Sequence, residues 1–284
     1  MQNENKKIVI DKKLVFWLIP VRYLYRKLRM LISNKPRLVQ LKVNGYELLI
    51  WANEDIGKSL MFARRHEMDE VHYFQNTIKD GAICLDVGAN IGYFSMLFSQ
   101  LSGARGKVYA FEPLKRNFLA IELAAEVNHF NNISVFQGVA SNVEGFLSIT
   151  IPEGDGAYAR ITNRGQDELT VAVPSISLDS FVIKNSISKI DAIKIDVEGA
   201  ELLVLQGAER VLSDPALRPS VLMVELVSDM LKAHSATISM VLEYMYKFSY
   251  KPYIASKNGE LIPYTDNDFD KTFNVFFKVP TGHP

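Results

Sequence analysis

The chain has 284 residues, 48% apolar and 23% charged, with 32 basic side chains, 32 acidic ones and a single cysteine. That length holds one large α/β domain with an appendage, or two small domains, and the composition is that of an ordinary soluble globular protein. One cysteine excludes an intrachain disulfide scaffold and is compatible with a reducing, cytoplasmic setting.

Charge is spread unevenly. Residues 1–37 carry ten Lys and Arg against Glu4 and Asp11, a net +8, and the remaining 22 basic and 30 acidic residues sum to −8. Within this basic arm the apolar run from Leu14 to Ile19 ends at Pro20, far short of the roughly 20 residues that span a bilayer. No small-residue cleavage site follows it, which argues against a secretory signal. After Pro20 a helix is predicted, with Leu24, Leu28 and Leu31 on one side and Arg22, Arg26 and Arg29 on another. Residues 12–32 therefore suit peripheral contact with the inner face of a membrane, or docking on the chain's own domain or on a partner subunit of a homodimer. Nucleic acid is not an expected partner, because residues 38–284 are net acidic.

Residues 38–80 read as an N-terminal hairpin and helix cap. Leu38–Val43 and Tyr46–Trp51 flank the Asn44-Gly45 turn signal. His66 and His72 fall in the helix that follows, where a structural imidazole competes with a general base.

From 81 to 284 a single domain is predicted. Strands at 82–87, 107–112, 133–137, 191–196 and 221–226 alternate with helices near 91–101, 114–128, 199–213 and 236–247, the pattern of βαβ units and a mostly parallel sheet. Two more strands lie at 251–254 and 273–278. Residues 145–178 break the alternation with short strands, 146–151 and 169–173, around the polar loop 153–166. Such a β insertion would overhang the carboxyl edge of the sheet and suits a substrate cover, with Tyr158 and Arg160 as candidate contacts; a plain β extension is the alternative.

The stretch Ile83–Phe94 is a buried strand that ends on an acid, turns through Gly88 and Gly92, and enters a helix. A turn of this kind in an open α/β sheet is a ligand site: glycine backbone allows close approach and the helix offers unpaired N–H groups. Cys84 within it reads as a small buried apolar residue rather than a nucleophile. Dinucleotide binding wants G-x-G-x-x-G at this point. Here the spacing is Gly88-x-x-x-Gly92 with Asp86 in front, which suits a sulfonium carrying an amino-acid tail. Glu112, twenty residues beyond Gly92, ends the second strand where a carboxylate can accept both ribose hydroxyls.

Three runs, Asp86-Val-Gly-Ala-Asn-Ile-Gly92, Phe111-Glu112-Pro113 and Lys194-Ile-Asp-Val-Glu-Gly-Ala-Glu201, together resemble the FkbM-type SAM-dependent methyltransferases. Leu178-Asp179 and Gln206-Gly207-Ala208 fit the same pattern, and the likeness covers about residues 65 to 228. It implies a Rossmann-like class I sheet of seven strands with the last antiparallel, S-adenosyl-L-methionine as cofactor, and O-methylation of sugar, glycan or natural-product hydroxyls. On this reading Asp86, Gly88, Asn90, Gly92, Glu112 and Pro113 contact the cofactor, joined by Gln137, Val139 and Ala140 near the adenine and by Glu67, an acid upstream of the glycine turn. Substrate identity does not transfer.

Strand alternation puts Lys194 and Asp196 on one face of a strand covered on both sides, and a buried Lys is costly unless paired. Asp86, Glu112, Asp196 and Glu225 all end strands at one rim. Asp196 is the first candidate for base or hydroxyl orienter, then Glu198 and Glu225, with Lys194 tuning Asp196 by charge. Glu198 splits between catalysis and helix-dipole stabilisation, and Glu201 is assigned to the dipole. Alternatively, Asp196 and Glu225 are oxygen ligands for Mg²⁺. Competing functions are N- or C-methylation, with the absence of an Asn/Asp-Pro-Pro-Tyr/Phe signature after the fourth strand arguing against nucleobase amino groups, and a SAM-binding regulatory protein held at a membrane.

Overall fold

The computed structural model describes residues 37–52, 54–63, 66–151, 160–161, 169–265 and 274–280. The arm of residues 1–36, Tyr158 and the Arg160 side chain lie outside them, and with them the membrane, docking and cover contacts expected of those groups.

β1 (Leu38–Val43) and β2 (Tyr46–Trp51) form the antiparallel hairpin, turned by Asn44 and Gly45 at φ 51° and 95°, the left-handed pair this turn requires. Helices α1 (Asp55–Ala63) and α2 (Met68–Thr77) lead into the alternating units: β3 (Ile83–Val87), α3 (Tyr93–Ser102), β4 (Lys107–Phe111), α4 (Lys115–Val127) and β5 (Ile133–Phe136). A separate four-stranded sheet follows, built from β6 (Val139–Ala140), β7 (Gly145–Ile151), β8 (Arg160–Ile161) and β9 (Leu169–Ile176) in the order β6-β9-β7-β8. The chain returns through α5 (Leu178–Lys184), β10 (Ala192–Ile195), α6 (Glu201–Gln206), α7 (Glu209–Ser213) and β11 (Val221–Glu225). It ends with α8 (Ser228–Ala233), α9 (Ile238–Tyr246), β12 (Lys251–Ala255), β13 (Leu261–Pro263) and β14 (Asn274–Lys278).

The main sheet runs β13-β12-β14-β11-β10-β3-β4-β5. β11, β10, β3, β4 and β5 are parallel, and β14 enters antiparallel between β11 and β12. Among the described residues this sheet has eight strands, one more than expected, because the short β13 pairs along the edge of β12. Side chains alternate between two cores. Leu85, Val87, Ile193 and Ile195 face the core shared with α5, α6, α7 and α9. Cys84, Ala192, Met223 and Phe276 face the one shared with the hairpin, α2, α3 and α4. Burial pushes the Cys84 thiol up, in keeping with an inert packing role.

Two departures from the sequence reading have local causes. The helix expected over 199–213 is two, broken at Gly207, where any side chain would collide with the Ser141 carbonyl. Asp179 holds that break: its N–H donates to Gly207 O at 3.0 Å, and its carboxylate accepts from Arg210 N and Val211 N, both at 2.9 Å, capping α7. α5 was not anticipated; Ser177 starts it by accepting from Ser180 N at 3.1 Å. Among the described residues no helix is long and apolar enough to cross a membrane.

Candidate active site

At the carboxyl ends of β3, β4 and β10 lies a cleft that encloses about 630 Å³ of empty space, its open mouth included. One end is apolar, formed by Gly138, Val139 and Ala140 with Ile149 and Ile161 of the inserted sheet. The insertion, expected as a substrate cover, thus supplies wall residues here. Glu112, Pro113 and Asn117 line the middle; Gly88, Asn90, Asp196, Val197 and Glu198 line the other end.

Glu112 is nearly fully buried and accepts from Asn90 N and Leu114 N at 2.9 Å each, with Asn117 Nδ2 at 3.4 Å. Burial outweighs those donors and pushes its carboxyl up to about 8. Asn117 also bonds Asn90 Oδ1 and accepts from Trp51 Nε1 at 3.0 Å, fastening the hairpin to the site. Sequence reasoning missed Asn117: an asparagine in the first turn of a helix carries no signal of its own.

Gly88 and Gly92 have φ of 79° and 82°, and Asn90 has 50°. A side chain at Gly88 would strike the Asp196 carbonyl, so the β3 and β10 loops touch only because residue 88 is glycine. Gly92 starts α3 and packs under Ile121, away from the cavity wall. Gln137 is exposed and lines an adjoining groove with Lys115 and Arg116 instead of this cavity, which corrects its expected place beside Ala140.

Asp86 departs further. It is fully buried off the cavity, where Ser95 Oγ donates to Oδ2 at 2.6 Å and Lys194 Nζ stands 3.8 Å from Oδ1. Parallel register makes Asp86 and Lys194 direct cross-strand partners, under the ring of Phe94 5.5 Å from Nζ. Lys194 also donates to Asp196 Oδ2 at 2.9 Å and Gly88 O at 3.3 Å. Burial pulls its ammonium down, but Asp196, Asp86 and Glu67 outweigh that and hold it protonated. The expected pairing of Lys194 with Asp196 is therefore in place, and Asp86 joins it.

One residue beyond the aligned pair Ile195 and Val224, Asp196 and Glu225 end neighbouring strands, and their carboxyl groups hydrogen-bond. Burial, then the Asp196 charge, pushes Glu225 far above the usual carboxylate range. Glu198, at the cavity edge, has the left-handed φ of 55°, rare for a non-glycine residue. Glu201 folds back to accept from Val197 N and Gly199 N at 3.1 and 3.0 Å, so beyond any dipole contribution it fixes this loop. Glu67 sits off the cavity, accepting from Asn274 Nδ2 at 2.7 Å and pairing with His66 Nε2 at 3.2 Å. Among the described residues no group of three His, Cys, Asp or Glu side chains stands as metal ligands would, so Asp196 and Glu225 lack a third such partner.

Comparison with known proteins agrees with this geometry. Residues 86–252 match the Methyltransferase FkbM domain. The hexuronic acid methyltransferase AglP of Haloferax volcanii is 28% identical over 143 residues, 50% of this chain and 56% of that protein. Methyltransferase 1 of Beauveria bassiana is 22% identical over 179 residues, 56% of this chain and 72% of that one. The chain thus spans little more than half the length of the first of these relatives. Among solved structures, an rRNA methylase from Streptococcus thermophilus aligns with a TM-score of 0.41 and 16% identity, over 73% of this chain and 90% of that one. With most of its length, glycine turn and carboxylate rim included, inside one family model, the chain belongs to the FkbM family of SAM-dependent methyltransferases.

Proposed function

We propose that this protein O-methylates a hydroxyl of a sugar, a glycan or glycolipid, or a small natural product. The observation that carries the reading is the two-ended cavity, apolar around Val139, Ala140, Ile149 and Ile161 at one side, acidic around Asp196 and Glu198 at the other, with Glu112 between them. The likeness to a hexuronic acid methyltransferase supports a carbohydrate acceptor.

The lining fits S-adenosylmethionine, which would supply an electrophilic methyl group on a positively charged sulfur. Val139, Ala140, Ile149 and Ile161 offer an apolar slot for adenine. Glu112, already held by two backbone N–H groups, has lone pairs left for ribose hydroxyls. Gly88 and Asn90 present backbone to the amino-acid tail. Behind the rim residue Asp196, the buried Asp86 and Glu67 share with it one ammonium, Lys194, so the charge there is negative and favours a cation. Asp196 is fixed by Lys194 on one side and Glu225 on the other, which suits it to orient an acceptor hydroxyl; such alignment is worth roughly 7–11 kcal/mol in favourable cases.

Titration with SAM and S-adenosylhomocysteine is the first test, and an absence of binding to either sinks the reading. Asp196→Asn is expected to keep cofactor affinity while turnover of a sugar acceptor drops about 10²-fold or more; unchanged turnover removes Asp196 from the mechanism. Turnover lost to EDTA and restored by Mg²⁺ would assign the metal role instead.

A further inference from the structure

We propose that Trp51, in the N-terminal hairpin, is a positioning residue of the cofactor site and acts through Asn117, an inference that rests on the cofactor placement given above. The hairpin, residues 38–51, lies outside the stretch that matches the family model, so this contribution comes from beyond the matched domain.

Three residues of the cavity wall form a closed hydrogen-bonded ring. Asn90 N donates to Glu112 Oε2 at 2.9 Å, and Asn117 Nδ2 reaches Glu112 Oε1 and Asn90 Oδ1, both at 3.4 Å. Asn117 is 1% exposed and lines the cavity beside the other two. An amide can present either end, and here its orientation is set from behind. The Trp51 indole N–H, a donor with no acceptor capacity, meets Asn117 Oδ1 at 3.0 Å. The amide oxygen therefore faces the hairpin and the NH₂ group faces the ring. Turned over, Asn117 would set its oxygen against Asn90 Oδ1, acceptor to acceptor, and leave the indole without a partner.

Trp51 is itself held firmly. β2 is tied to α4 at both ends, by Trp51 on Asn117 and by Asn128, whose amide donates to Glu47 O at 2.7 Å and accepts from Glu47 N at 2.8 Å. The helix rises about 16 Å from Asn117 to Asn128 and the strand runs about 14 Å from Glu47 to Trp51, so the two ties match in span and fix where the hairpin sits along the helix. Arg116 stands over the indole, its guanidinium carbon 5.3 Å from the ring centroid, and pairs with the buried Glu54. Glu54 N donates to the Trp51 carbonyl at 3.1 Å, and a side chain at Gly57 of α1 would strike that same carbonyl. A buried indole accepts many kinds of partner. What sets this one apart is that its partner lines the cavity and bonds, through its other end, Glu112 and Asn90.

The test separates positioning from mere support. Trp51→Phe keeps an aromatic ring under Arg116 and deletes the N–H. Calorimetry should show SAM and S-adenosylhomocysteine bound about 5–10-fold more weakly, the effect of one buried hydrogen bond. The loss in kcat/KM should be carried by KM for SAM rather than by kcat. Asn117→Ala should weaken binding at least as much, and the double variant should bind no more weakly than Asn117→Ala alone, because the indole then has nothing to act through. Asn117→Asp keeps an acceptor for the indole but has no donor for the ring, so it too should lose SAM affinity. Wild-type affinity in Trp51→Phe or in Asn117→Asp overturns the proposal, as do additive losses in the double variant. Unfolding midpoints that fall while the affinity of the folded protein stays constant assign Trp51 to support alone and overturn it as well. A wild-type protein that binds neither SAM nor S-adenosylhomocysteine, or a Glu112→Ala variant with wild-type affinity, sinks the cofactor placement instead.

Discussion

Asp86 in β3 and Glu112 just past β4 are acids near the ends of adjacent parallel strands, and on the page they read as one pair of cofactor ligands. The folded chain separates them. Asp86 faces a cross-strand ammonium and a serine hydroxyl and is spent inside the protein. Glu112 has no such cation directly opposite, is held by backbone N–H groups, and borders the cavity. The lesson is that an acid at a strand end stays open to a cavity only when the neighbouring strand does not pair with it. Here Lys194, opposite Asp86 in register, decides which is which.

The largest effect that bears on this contrast is expected from Asp86→Ala. Removing one member of a buried ion pair typically costs about 3–5 kcal/mol; Lys194 keeps Asp196, so the lower end applies, visible as a reduced urea midpoint. Cofactor affinity of the folded fraction should change less. A variant that is as stable as wild type but fails to bind SAM would invert the comparison. Next in size, Glu112→Ala should weaken SAM binding by about 10–100-fold, since it removes a buried acceptor and leaves two N–H groups without one; calorimetry reads this directly. Unchanged affinity would deny Glu112 its role.

The smallest effect is a pH dependence. Glu112 titrates near 4.5 when unfolded and at about 8 when folded, so the native state holds its proton more tightly. Its stabilising contribution is complete below pH 4.5 and is lost as pH rises through 8. Unfolding midpoints of the ligand-free protein should therefore fall across that window, and Glu112→Gln should flatten part of the slope. Only part is expected to go, because Glu201, pushed by burial up to about 7, follows the same sign. A slope identical in Glu112→Gln would contradict this.

Much of the fold was legible because its signals are local. The Asn44-Gly45 turn, the alternation in β2, and the strand–glycine–helix at 83–94 each declare themselves within a few residues. Lys194 and Asp196 could be paired from the period of a strand alone. What was hidden depends on register between distant segments. Nothing near Asp86 says that Lys194 lies opposite, and nothing near Asn274 says that it will pin Glu67. Asp179 and Gly207 matched the family pattern without a physical reason until the fold showed one capping the helix that the other interrupts. β13 escaped because its three residues, Leu261–Pro263, end in a proline that belongs at a sheet edge.

The placement of β14 has a consequence in time as well as in space. The cavity walls are drawn from residues 87 to 198, a span that can assemble from neighbouring βαβ units. The contact that fixes Glu67 joins residues 207 positions apart. Closing so long a loop carries a larger entropic cost and comes late for chains of high contact order. By loop length alone, the cavity walls can close before Glu67 is pinned, with β14 still to take its slot between β11 and β12.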